Sequence, residues 1–132
     1  MKFIGVWIAK GGTGKSTTAG NLAAALAARG RVLLIDCDGQ ANLSAWIHPG
    51  PFAHELADVL KGQVSAREAI VNARPGLDLL PTFAIGGGLK NWAETVLPGQ
   101  PFAFHTLRDS IEALGYDYAI ADMSPGTSFL ER

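Results

Sequence analysis

The stretch Phe3-Ile4-Gly5-Val6-Trp7-Ile8-Ala9-Lys10-Gly11-Gly12-Thr13-Gly14-Lys15-Ser16-Thr17 decides the fold. Its first six residues form a short apolar run, the pattern of a strand buried on both faces. A glycine-rich turn follows. From Lys15 to Arg29 the Ala- and Leu-rich sequence then predicts a helix stopped by Gly30. Strand, turn and helix in that order make an anion site, because backbone N–H groups of the turn and of the helix N-terminus converge on it and the helix dipole adds positive potential. Gly11, Gly12 and Gly14 let the backbone wrap closely, since side chains there would collide with phosphate. Lys15 is expected to reach the β- and γ-phosphates of a nucleoside triphosphate and Ser16 to offer its hydroxyl to Mg²⁺. Thr17 is placed to bond the α-phosphate.

The rest of the chain repeats the alternation. Val32 to Ile35 reads as a second buried strand ending at Asp36, and Asn42 to Ile47 as a short helix stopped by His48-Pro49-Gly50-Pro51. Apolar residues recur with helical spacing at Leu56, Val59 and Leu60, and again at Ala66, Ala69 and Ile70. Leu77 to Leu80 reads as a third strand, ended by Pro81. Trp92 and Val96 belong to an expected helix ending before Pro98. Phe104, Leu107, Ile111 and Leu114 form the clearest stripe at 3.6-residue spacing, closed by Gly115. Tyr118 to Ala121 is the fourth strand and runs into Asp122. Strands alternating with helices predict an α/β fold, a parallel sheet with helices on both faces in the three-layer P-loop NTPase arrangement. Residues 1–132 are expected to form a single nucleotide-binding domain. Gly86-Gly87-Gly88 reads as a loop or helix entry rather than a hinge.

Phosphoryl transfer is mostly positioning and charge stabilisation, so it calls for carboxylates at the ends of strands beside the phosphate loop. Two segments supply them: Asp36-Cys37-Asp38-Gly39-Gln40-Ala41-Asn42-Leu43-Ser44 and Asp122-Met123-Ser124-Pro125-Gly126. By position, Asp36 and Asp122 qualify as carboxylates that reach Mg²⁺ through water or through the groups that bind it. Asp38 qualifies as the group that orients or deprotonates the attacking water. The structural alternative for Asp36 and Asp38 is capping of a strand end or an Asx-turn.

One departure from the ordinary P-loop is informative. Ala9 stands where the first glycine of that pattern belongs, and Lys10 precedes the glycine pair. Two lysines in one phosphate cradle repel each other unless they share an anion. The loop Lys10 to Thr17 resembles the deviant Walker A motif of the ParA/MinD group of ATPases. The resemblance implies that Lys10 acts in trans on the partner's phosphates across an ATP-dependent homodimer, while Lys15 acts in cis. The segment from Asp36 is similar to the family's first switch motif, Asp-x-Asp-Pro-Gln-Gly-Asn. It keeps Asp38, Gln40 and Asn42, with Gly39 for the usual Pro and Ala41 for the usual Gly. Tyr116 to Pro125 resembles the family's Walker B stretch, with Ser124-Pro125 where a proline pair is common.

The resemblance implies an ATP- and Mg²⁺-dependent molecular switch in plasmid or chromosome partition. Its expected partners are a ParB-like activator and non-specific DNA, and its place is the cytoplasm, in association with the nucleoid. A MinD-like ATPase positioning another cargo, or a nucleotide-binding module without hydrolysis, are the alternatives. The resemblance covers the whole sequence but only the first half of a typical member. A fold truncated after the Walker B strand is therefore expected, with the first strand left as a sheet edge where the family sheet has it central. Such an edge predicts either a longer protein or a sheet completed by a partner.

Composition fits this reading and excludes others. Hydrophobic residues make up 48% of the 132 and charged residues 17%, enough for a real core and too apolar for disorder. Eleven Lys/Arg against twelve Asp/Glu leave a net charge of −1 and no basic stripe. No apolar run approaches the ~18 residues of a membrane span. The single cysteine, Cys37, is read as a packing residue, and an iron–sulfur centre like that of the related nitrogenase iron protein would need two cysteines per subunit at other positions. His48, His54 and His105 lack metal-ligand spacing. Trp7, Trp46 and Trp92 are read as packing residues rather than base-stacking ones.

Overall fold

The computed structural model describes residues 1–6, 15–37, 42–82 and 103–123. Ten elements follow in order: β1 (Lys2–Val6), α1 (Lys15–Ala27), β2 (Val32–Cys37), α2 (Asn42–Ile47), α3 (Leu56–Leu60), α4 (Ala66–Ala69), β3 (Val71–Arg74), β4 (Leu77–Leu80), α5 (Ala103–Glu112) and β5 (Tyr118–Met123). The strands form one sheet in the order β1-β5-β2-β4-β3. β1, β5, β2 and β4 run parallel, as the alternation requires.

Two features depart from the sequence reading. β3 pairs antiparallel with β4 and lies at the sheet's outer edge. An antiparallel partner needs only a tight turn, whereas a parallel one needs a crossover of a dozen or more residues. Pro75-Gly76 supplies the turn, with Gly76 at φ 76°. Cβ at Gly76 would also stand 3.2 Å from the Ala27 carbonyl oxygen. The second departure is β1. Its sequence reads as buried on both faces, yet Lys2 and Gly5 are exposed and Phe3, Ile4 and Val6 only half-buried. Its place at the other edge explains this, for β5 flanks it on one side. Every residue of β2, between β5 and β4, is buried.

Strand alternation divides the core into two layers. Leu33, Ile35 and Cys37 of β2 pack with Leu56, Ala57 and Leu60 of α3, with Ala66 and Ala69 of α4 and with Leu107 and Ile111 of α5. Val32 and Leu34, one residue out of phase, pack on the opposite face with Ala19 and Ala23 of α1 and Leu43 and Ile47 of α2. Buried Ala19, Gly20 and Ala23 present almost no side chain, which lets α1 lie close against the sheet. Each buried Leu or Ile contributes about 1.5–3 kcal/mol of transfer free energy, so these two layers hold the strands in place.

The edge where β2, β4 and β5 begin is tied by polar contacts. The Tyr116 hydroxyl donates to Asp78 Oδ2 at 2.6 Å, and Asn72 Nδ2 donates to Asp78 Oδ1 at 2.9 Å. The Arg31 guanidinium lies over the Tyr116 ring, 4.7 Å from its centroid, and donates to the Leu114 carbonyl at 3.1 Å. The Arg31 backbone N–H donates to Asp117 Oδ2 at 2.9 Å. Burial, and then the Asp78 carboxylate, push the Tyr116 hydroxyl well above its ordinary pKa.

Candidate functional site

Parallel strands end at a common edge, and in open α/β sheets ligands sit outside those carboxyl ends. Here β1 ends at Val6, β5 reaches Asp122 and β2 reaches Asp36, and these three residues lie in one cross-strand row: Val6 pairs with Asp122, and Asp122 with Asp36. The chain leaves β1 at this edge and re-enters the described structure at Lys15, where α1 begins. Asp36 shares its alternation phase with Val32 and Leu34, and Asp122 with Ile120. Both therefore lie on the α1–α2 side of the sheet.

Both carboxylates are wholly buried, at 0% exposure. Removing a carboxylate from water costs several kcal/mol unless cations or donors meet it. For Asp36 part of the answer is a hydroxyl network. Ser44, in the first turn of α2, donates to Asp36 Oδ2 through its backbone N–H at 2.9 Å and through its hydroxyl at 2.5 Å. Thr82, just past β4, donates its N–H to Ser44 Oγ at 3.1 Å and its hydroxyl to the Asp36 carbonyl at 2.6 Å. Ser44 and Thr82 are each 1% exposed. The network joins the ends of β2 and β4 to the start of α2.

The expected site residues divide as follows. Asp36 and Asp122 come together on adjacent strands. Lys15, Ser16 and Thr17 open α1, and Asn42 opens α2. Lys10, Gly11, Gly12, Thr13, Gly14, Asp38 and Gln40 lie outside the described residues, as do Trp7, Trp92, Val96, the glycine run at 86–88 and Ser124-Pro125. Two residues of the network had been given no role. Ser44 carries a weak local signal, a hydroxyl residue in a first helical turn eight positions after an acidic strand end. Thr82 carries none, because its partner Asp36 is 46 positions away.

No group of three or more His, Cys, Asp or Glu side chains suited to a metal occurs among the described residues. Mg²⁺ takes one or two carboxylates and completes its shell with phosphate and water. The carboxylates buried at this edge, Asp36 and Asp122, offer oxygen donors. They suit a hard cation with a polyphosphate and not zinc, which prefers nitrogen and sulfur.

A mostly parallel sheet between two helical layers, with a helix N-terminus and two buried carboxylates at the carboxyl edge, defines a P-loop NTPase fold. Comparison with known proteins narrows the class. The model of an AAA domain family matches residues 1–132, and the chain belongs to that family. The chromosome partitioning protein ParA of Caulobacter vibrioides is 40% identical over 129 residues, covering 92% of this chain and 47% of the relative. A plasmid partition protein from Borrelia burgdorferi superposes with a TM-score of 0.86 at 30% identity, over 98% of this chain and 59% of that one. The cobyrinic acid a,c-diamide synthase of Mycobacterium smegmatis, solved with a bound ATP analogue and magnesium, superposes with a TM-score of 0.83 at 29% identity, over 99% of this chain and 54% of that one. The chain thus has the sequence and fold of a ParA-type ATPase portion and spans about half the length of the relatives it matches.

Proposed function

We propose that residues 1–132 form the nucleotide-binding domain of an ATP-dependent switch of the ParA type, serving plasmid or chromosome partition. The observation that supports this best is the buried Asp36–Asp122 pair at the carboxyl edge, on the side of the sheet from which α1 starts with Lys15. Its donor set suits magnesium with ATP, and the M. smegmatis neighbour was solved with that kind of ligand.

In this reading Gly11, Gly12, Thr13 and Gly14 wrap the phosphates with backbone N–H groups, and Lys15 holds the β- and γ-phosphates in place. Thr17 bonds the α-phosphate. Ser16, Asp36 and Asp122 would hold Mg²⁺, directly or through water, and the ion would neutralise charge developing on the transferred phosphate. Asp38 orients the attacking water and accepts its proton. Lys10 reaches the partner's phosphates, so ATP joins two copies of the chain and hydrolysis separates them. A ParB-like activator and non-specific DNA are the partners of that cycle, which takes place in the cytoplasm on the nucleoid. No described helix is long and apolar enough to cross a membrane.

Lys15→Ala tests the reading. Equilibrium binding of a fluorescent ATP analogue is expected to weaken by at least about 100-fold, since the substitution removes a charge-assisted contact to phosphate worth roughly 3 kcal/mol or more. Unchanged binding by a folded variant would refute the nucleotide site.

A further inference from the structure

We propose that Ser44 is a positioning residue for the Asp36 carboxylate, that Thr82 holds Ser44 in turn, and that together they set how tightly the site takes Mg²⁺ with its nucleotide; the proposal rests on the ATP-switch reading above. Both Ser44 bonds fall on a single carboxylate oxygen, Oδ2, and the shorter, at 2.5 Å, is in the charge-assisted range. A serine hydroxyl has one proton to give and can also accept. The Thr82 N–H donates into Ser44 Oγ, so the oxygen accepts on one side and its proton points to Asp36 on the other. The donor direction is thus set by the fold and not left to rotation.

The Thr82 hydroxyl adds a second tie, to the Asp36 carbonyl. The last β2–β4 pair is Ile35 with Leu80, so this bond holds the strand end one residue beyond the ladder. Asp36 is thereby fixed both at its backbone and at its carboxylate.

The competing explanation is that Asp36 merely caps α2. Magnitudes weigh against it. A cap is worth about 1 kcal/mol, whereas burying a carboxylate costs several kcal/mol before compensation. A six-residue helix is also a small return for a charge with no exposure. A carboxylate held in one orientation beside a cation site accounts for both the burial and the donors. Groups that orient a metal's ligands commonly change metal affinity by about 10- to 100-fold when removed.

The test uses Ser44→Ala, Ser44→Thr and Thr82→Val, with a fluorescent ATP analogue titrated with and without Mg²⁺ and with the electron paramagnetic resonance of Mn²⁺ added with ATP. Ser44→Ala is expected to weaken the metal-dependent part of binding by about 10-fold or more and to broaden the Mn²⁺ spectrum. Metal-free binding should change by less than about twofold. Ser44→Thr should restore the metal effect, and Thr82→Val should lose part of it. Equal losses with and without metal, at unchanged far-UV circular dichroism, would mean a structural role and overturn the proposal. If Ser44→Ala does not fold, Ser44→Cys, which leaves only a weak S–H donor toward Asp36, decides, and full metal dependence in that variant overturns the proposal. A wild-type chain that binds neither analogue nor Mn²⁺ refutes the ATP-switch reading itself. Normal binding by the wild type with an indistinguishable Ser44→Ala refutes the positioning role alone.

Discussion

Replacing Tyr116 by phenylalanine removes one oxygen and leaves the ring, its packing and its contact with Arg31. The lost hydroxyl donates to Asp78 Oδ2 at 2.6 Å from a residue only 6% exposed. A hydrogen bond to a charged acceptor is worth about 1.5–3 kcal/mol. Asp78 is half-buried and keeps Asn72 on its other oxygen, so water recovers part of the loss. Tyr116→Phe is therefore expected to lower unfolding free energy by about 1–2 kcal/mol at neutral pH, read from urea titrations followed by far-UV circular dichroism. The pH dependence gives a second, independent signature. Because the folded protein holds the Tyr116 proton more tightly than the unfolded chain does, the native state binds more protons above the unfolded pKa. Its contribution is fully present below pH ~10 and declines as pH rises toward the folded value, by at most about 1.4 kcal/mol per pH unit. The phenylalanine variant lacks that decline, so the gap between the two proteins narrows above pH ~10. ATP-analogue binding should not change, since Tyr116 precedes the start of β5 and Asp122 lies near its far end, roughly 15–20 Å away along the strand. A variant within about 0.3 kcal/mol of wild type at pH 7, or a gap that stays constant into alkaline pH, would refute this account of the clamp.

Gly76→Ala should cost about 1–2 kcal/mol, because φ 76° disfavours any L side chain and the new Cβ would meet the Ala27 carbonyl oxygen at 3.2 Å; an unchanged urea midpoint would count against the hairpin geometry. Asp38→Ala should preserve ATP-analogue binding while slowing phosphate release by about 100-fold or more, and equal hydrolysis by variant and parent would remove the assigned role. Lys10→Ala should bind the analogue as a monomer and fail to dimerise with ATP. Light scattering that shows normal dimers would exclude its action in trans.

Much of the fold was legible because the signals were local. The span Asn42–Ile47 was marked by the Pro-Gly-Pro stop after it, and β4 by an apolar run ended at Pro81. The stripe at Leu107 and Ile111 is buried as its spacing predicts. β3 was missed because Val71-Asn72-Ala73-Arg74 is four residues of mixed polarity, held as a strand by β4 and the Gly76 turn more than by its own preference. β2 is the reverse case. Its apolar run suggested an end at Asp36, yet the ladder with β5 carries it through Cys37.

The glycine- and lysine-rich stretch from Lys10 to Thr17 and the aspartates Asp36 and Asp122 closing two strands stand out in the sequence alone, since glycine, lysine and aspartate at those spacings express chemical requirements over a few adjacent residues. The tertiary structure decided what stands beside them. Parallel pairing put Asp122 next to Asp36, alternation turned both toward α1, and the close of β4 brought Thr82 onto Ser44 across 38 positions of chain. One serine in a helical turn and one threonine after a proline have many uses. Only the sheet, by joining strands distant in the chain, makes the serine a donor to a buried carboxylate and the threonine the serine's support.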